Sequence, residues 1–174
     1  MKIQNSKRGG EVHATHRARA RFGCVQHRAG RNAGTRPEPA LQYANNEIND
    51  NGTLTTSFKE VGLGTGTDSV RITLTANATA VYQCFNNGGH HPKAGNKETL
   101  QSDVITSGDF PVRNGQTTGS LIVGPLDPGG FSCPSGQTLF LESVKYSNTF
   151  VSDAAGNTLK ATPDPISREL HIQV

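Results

Sequence analysis

Between Ser69 and Phe85, Val70, Ile72, Leu74, Ala76, Ala78, Ala80, Tyr82 and Cys84 fall on every second position. Arg71, Thr73, Thr75, Asn77, Thr79 and Gln83 fill the gaps, with Val81 the one apolar exception. Successive side chains of an extended chain point to opposite faces, so this alternation predicts a half-buried antiparallel strand. Tyr82 and Cys84 share its buried side, and Asn77 lies on the wet one. The same reading, punctuated by Gly, Asn and Pro, predicts strands over 53–61, 98–105, 117–123, 137–146 and 169–174, with a short piece at 150–151. Asn49-Asp-Asn51-Gly52 reads as a turn, residues 62–68 as a flexible connection and Asn86 to Lys97 as a loop. The stretch Phe110 to Arg113 leads into Asn114-Gly115, a strong hairpin signal.

Six or seven strands separated by such turns predict an all-β domain. The expected architecture is an antiparallel β-sandwich, immunoglobulin-like or of a related Greek-key order. An up-and-down barrel or a jelly roll would give the same linear pattern, so the topology stays open at this level. No segment carries a helical apolar period, and none approaches the roughly 18 consecutive apolar residues that span a bilayer as a helix.

Charge divides the chain in two. Residues 1–40 hold nine basic and two acidic side chains, a net +7, whereas residues 41–174 hold eight basic and twelve acidic ones, a net −4. The basic pI therefore belongs to residues 1–40, which lack any apolar period and are expected to be a disordered tail preceding a domain at 41–174. A basic arm of this kind can cling to nucleic-acid phosphates, but Phe22 is its only aromatic residue, so base stacking would be minimal. An export signal needs a continuous apolar run of about 7–15 residues, and residues 1–40 contain none. Two readings of the tail follow: a phosphate-binding arm, or a stretch outside the mature product, since RARARFGCVQHRAGRNAGTR has the composition of a chance translation of GC-rich DNA.

Cys24 lies in the tail; Cys84 and Cys133 lie in the domain. An even pair among polar, Thr- and Asn-rich strands predicts a Cys84–Cys133 disulfide, and with it an oxidising, extracellular location. Two buried free thiols are the rival reading, and metal binding by two cysteines without CxxC spacing a weaker one.

Candidate chemistry is sparse. His90 and His91 are adjacent imidazoles in a loop, without the HxH or HExxH spacing that aims two ring nitrogens at one ion, so no metal site is expected. Asn51-Gly-Thr53 and Asn77-Ala-Thr79 match the N-x-S/T acceptor pattern, which chance produces often in Asn/Thr-rich sequence. Asp127-Pro-Gly-Gly130 reads as a turn rather than a calcium loop, which needs more acidic oxygens. Gly130-Phe-Ser132-Cys133 lacks the second glycine of a nucleophile elbow. No catalytic constellation and no cofactor motif is predicted.

The long alternating strand ending in Cys84, the loop NNGGHHP, and Gly-Gly-Phe-Ser-Cys133-Pro134 followed by TLFLESVKYSNTFVSD together resemble a family of small secreted β-sandwich proteins of unknown function from actinomycetes and related soil microbes. The resemblance spans about residues 50–153 and implies a secreted sandwich with a Cys84–Cys133 bridge, but no catalytic residue. The expected function is non-enzymatic, structural or adhesive at the cell surface, through loops such as 86–97 and 124–136. A binding module for polysaccharide or another cell-surface polymer is the alternative, and nucleic-acid binding through the tail a third.

Overall fold

The computed structural model describes residues 38–86 and 96–174. The expectations about the tail, Cys24, His90 and His91 fall outside the described residues. Among the described residues eight strands form: β1 (Ala40–Ile48), β2 (Leu54–Val61), β3 (Ser69–Asn86), β4 (Lys97–Pro111), β5 (Gln116–Val123), β6 (Gln137–Asp153), β7 (Thr158–Lys160) and β8 (Ile166–Gln173). They make two antiparallel sheets, one of order β1-β2-β5 and one of order β4-β3-β6-β7, with β8 also paired to β6. The sheets pack face to face, so the protein is an all-β sandwich, as the alternation in β3 predicts.

β3 shows why. Its residues from Ile72 to Cys84 alternate between buried and half-buried, with every apolar even position from 72 to 84 inside. The polar odd positions are half-covered rather than free, because β3 has β4 on one side and β6 on the other. Across the sandwich, Leu54, Thr56, Phe58 and Glu60 of β2 turn inward with the same period of two. Phe58 meets Phe110 edge to face, ring centroids 4.8 Å apart. Gly119 of β5 pairs with Phe58, and a Cβ added there would overlap the Phe110 ring. Gly119→Ala should therefore destabilise the fold by about 1–3 kcal/mol, since the ring has to leave a packed core. Urea unfolding measures this, and recovery of the loss by a smaller residue at 110 would tie it to that overlap.

β3, β4 and β6 of the large sheet are about twice as long as the strands of the small one, which therefore cannot cover all of it. The segment 124–136 after β5 covers the remainder. Leu126 and Phe131 pack against the core, the Tyr82 hydroxyl donates to the Leu126 carbonyl at 2.6 Å, and Cys133 is bonded to Cys84. The other open side is closed by the crossing from β7 to β8. There Asn46 N–H donates to Thr162 O and Thr162 N–H to Ala44 O, while Ala161 N–H reaches Thr149 O in the opposite sheet. The peptide bonds Thr162-Pro163 and Asp164-Pro165 in this crossing are both cis.

Several strand limits differ from the sequence reading. β1 was not expected, because a register shift between Leu41 and Tyr43 breaks its alternation and one inward position is a polar Asn46, satisfied by Thr56. The pieces 98–105 and 110–113 belong largely to one strand that passes through Gly108, a residue kept small by the Phe110 ring. The pieces 137–146 and 150–151 are likewise one strand, β6, kinked by an extra residue at Glu142 and another at Asn148–Thr149. Such bulges shift side-chain parity, so a period-two reading splits the strand where they occur. The three-residue β7 is too short to carry a pattern.

Candidate binding face on the five-stranded sheet

The odd residues of β3 and their cross-strand partners form the outer face of the large sheet. Read across the strands, its rows are Ile105, Thr75 and Phe150; Asp103, Asn77 and Ser147; and Gln101, Thr79 and Lys145. Directly opposed residues in an antiparallel pair share a face, which brings these side chains together from three distant stretches of sequence. Asn148 donates its amide to Asn77 Oδ1 at 2.6 Å, and the Asn77 amide nitrogen donates to the Asp103 carboxylate. The bulge at Asn148, with φ 51°, aims that side chain along the sheet and completes the chain of amides.

Two shallow clefts adjoin this chain. One, about 410 Å³, is polar and bordered by Asn77, Gln101, Asp103, Lys145 and Ser147. The other, about 440 Å³, is mostly apolar and bordered by Thr75, Ile105, Asn148 and Phe150. Ile105 is 71% exposed and Phe150 40%, and the two share one row through Thr75 on a sheet face otherwise rich in Thr, Ser, Asn and Gln. An apolar shelf beside a bank of fixed donors and acceptors is the composition of a small-molecule or oligomer subsite.

A second cluster marks the other end of the same face. Phe85, Phe140 and His171 have ring centroids 4.5–5.2 Å apart, His171 stacked on Phe140 and both phenyl rings edge to face. His171 Nδ1 lies 2.6 Å from Glu142 Oε1. Two bulges meet here: Glu142 is the extra residue of β6, and His171, at φ 58°, lies in the irregular part of β8. Along β3, Thr75 and Gln83 at the two ends are about 27 Å apart at the usual rise per residue. Near Gln83, the Asn96 amide donates to Gln137 Oε1 and Gln137 to Asn86 Oδ1, which ties the two ends of the segment 86–96 to β6.

Inside the sandwich, Glu60 faces Asp153. Glu60 is fully buried and neither carboxyl oxygen has a partner with hydrogen-bond geometry. Burial, then the Asp153 carboxylate beside it, push Glu60 up to about 7. Burial works in the same direction on Asp153, but a hydrogen bond from the Asn157 side chain, the neighbouring Glu60 carboxyl, and hydrogen bonds from the backbone N–H groups of Asn157 and Ala155 together hold it below the usual carboxylate range, the Glu60 contact being one of proximity rather than of hydrogen-bond geometry. The proton of the pair therefore sits on Glu60. Tyr146, whose hydroxyl donates to Gly52 O at 2.8 Å, is pushed up to about 12, chiefly by burial.

Cys84 and Cys133 are joined, with Cα atoms 5.6 Å apart, as the cysteine pair predicts. Tyr82 is core, also as predicted. Asp127 forms a turn, its Oδ1 accepting from Gly129 N–H at 2.6 Å. Of the two N-x-S/T matches, Asn51 lies exposed in the β1–β2 turn, with its Oδ1 accepting from the Thr53 hydroxyl at 2.7 Å. A glycan on Asn77, sterically possible on a free strand face, would displace the Asn77–Asp103 bond in the middle of a central strand. The wet parity of Asn77, Thr75 and Thr79 was readable in sequence. The exposure of Ile105 and Phe150 was not, because nothing local distinguishes an apolar residue facing solvent from one facing a second sheet.

No family model matches this chain, and no curated protein matches it. Among solved structures it is similar to a crystal structure described as Northeast Structural Genomics Consortium target SoR45, at 9% sequence identity over 76% of this chain and 85% of that one. The TM-score is 0.21.

Proposed function

We propose that this protein is an extracellular, non-enzymatic sandwich domain of immunoglobulin-like order that adheres to a polysaccharide through the outer face of its five-stranded sheet. The observation that carries this reading is the hydrogen-bonded chain Asn148–Asn77–Asp103 lying beside exposed Phe150 and Ile105. Sugar rings present hydroxyls at their edges and C–H groups on their faces. The chain of amides and a carboxylate supplies acceptors and donors for the former, and the apolar shelf supplies contact for the latter. The cluster of Phe85, Phe140 and His171 at the far end gives the face a length suited to several sugar units.

Sheet orders β1-β2-β5 and β4-β3-β6-β8 support the immunoglobulin-like assignment, with the fourth strand paired to the third rather than to the fifth. The Cys84–Cys133 bond supports an oxidising compartment, as does the resemblance to small secreted sandwiches. The sheet face is favoured over the loops as the adhesive surface, because segment 124–136 is spent on covering the large sheet. Affinity electrophoresis and pull-down on insoluble polysaccharides test the proposal. Phe150→Ala and Gln101→Ala should each weaken retention about tenfold without moving the unfolding midpoint. Retention no greater than that of an unrelated sandwich domain, across neutral and acidic polysaccharides, would reject it.

A further inference from the structure

β4 is the edge of the large sheet, and its register with β3 runs without a bulge through fifteen residue pairs, from Ser69–Pro111 to Gln83–Lys97. Edges of this length are normally blunted by bulges, internal prolines or a covering segment. β4 has none of these among the described residues, its one proline being the terminal Pro111, although it carries charges, which also guard edges, at Lys97, Glu98, Asp103 and Asp109.

Which backbone groups are free follows from one hydrogen bond. Cys84 N–H donates to Asn96 O, one step beyond the Gln83–Lys97 pair. In an antiparallel ladder bonded and non-bonded pairs alternate, so the even residues of β4 bond to β3. The odd residues, 97 to 109, turn their N–H and C=O groups outward.

We infer that β4 pairs antiparallel with β4 of a second copy about a two-fold axis at Asp103, joining two large sheets into one. This register sets every outward residue against another outward residue: Lys97 opposite Asp109, Thr99 opposite Ser107 and Gln101 opposite Ile105. The Lys97–Asp109 pairing occurs twice and is oppositely charged; Lys97 has no ion pair among the described residues, and Asp109 is exposed and already held by Arg71 at 3.1 Å. The one like-charged contact is Asp103 with itself, and each of those carboxylates accepts from its own Asn77. Registers displaced by two residues leave outward groups of β4 unpaired and lose both Lys97–Asp109 contacts. The inference rests on strand geometry and not on the polysaccharide reading, although the pairing would place two such faces side by side.

Sedimentation velocity of the full chain from low to high micromolar concentration tests it. The expected result is a monomer–dimer equilibrium that shifts to monomer in Gln101→Pro. That proline removes only an outward N–H, and prolines are tolerated at such edge positions, so the unfolding midpoint should hold. Asp109→Lys should weaken the dimer at least tenfold, and Asp103→Asn should strengthen it several-fold. In a Cys24→Ser background, Asp103→Cys should form an intermolecular disulfide readily, and Ser107→Cys slowly. A wild-type chain that stays monomeric throughout, a dimer indifferent to Gln101→Pro, or equal cross-linking at 103 and 107 would each overturn the inference.

Discussion

Replacing Cys84 and Cys133 together by Ala is expected to lower stability by about 2–5 kcal/mol while leaving both sheets formed. The bond closes a separation of 49 residues, which loop-closure entropy values at about 4 kcal/mol. A typical domain of this size has a net stability of only about 5–15 kcal/mol. The local consequence follows from what the bond holds. Segment 124–136 contributes Leu126 and Phe131 to the core and little else, so without Cys133 its grip on the far end of β3 and β6 depends on those two side chains and the Tyr82 hydroxyl. Urea unfolding gives the global loss. Hydrogen exchange should show amides of 124–136 and of β3 near Tyr82 opening first, while those near Leu74 stay protected. A loss under about 1 kcal/mol, or uniform loss of protection, would mean that the bond does not staple this segment.

Stability should fall as pH rises from about 4.5 to 7, by up to about 3 kcal/mol, and Glu60→Gln should remove most of that slope. Glu60 titrates at its ordinary 4.5 in the unfolded chain and at about 7 in the folded one. Between those values the folded state keeps a proton that the unfolded state has released, so raising pH favours unfolding; below 4.5 both forms hold it and the full stability is present. Asp153 acts oppositely: its lowered value contributes stability above its ordinary 3.8 that is lost as pH falls through the folded value. Greatest stability is therefore expected between about pH 4 and 5. Thermal unfolding across pH 4–8 checks this, with a fall in midpoint of roughly 10 °C in the wild type. A flat wild-type profile, or an equally steep one in Glu60→Gln, would refute the assignment of the proton to Glu60.

The sequence alone determined the features that depend on local geometry. A strand must alternate its side chains, so the buried set of β3 from Ile72 to Cys84, the core position of Tyr82 and the wet position of Asn77 could all be read from residue order. An even pair of cysteines in a strand-rich domain predicted the bond that is found, because a small polar core gains from a covalent staple. What depends on a second element was not readable. Glu60 has the alternation of an ordinary inward position, and only the packing of β2 against the end of β6 sets it opposite Asp153. Ile105 and Phe150 look like core residues in sequence and face solvent because bulges and register decide which side of the sheet they occupy. The chain from Asn148 through Asn77 to Asp103 unites residues separated by up to 71 positions. Side-chain period fixes which residues share a face of one strand, but which strands lie side by side is set by non-local pairing, and the candidate binding face exists only in that pairing.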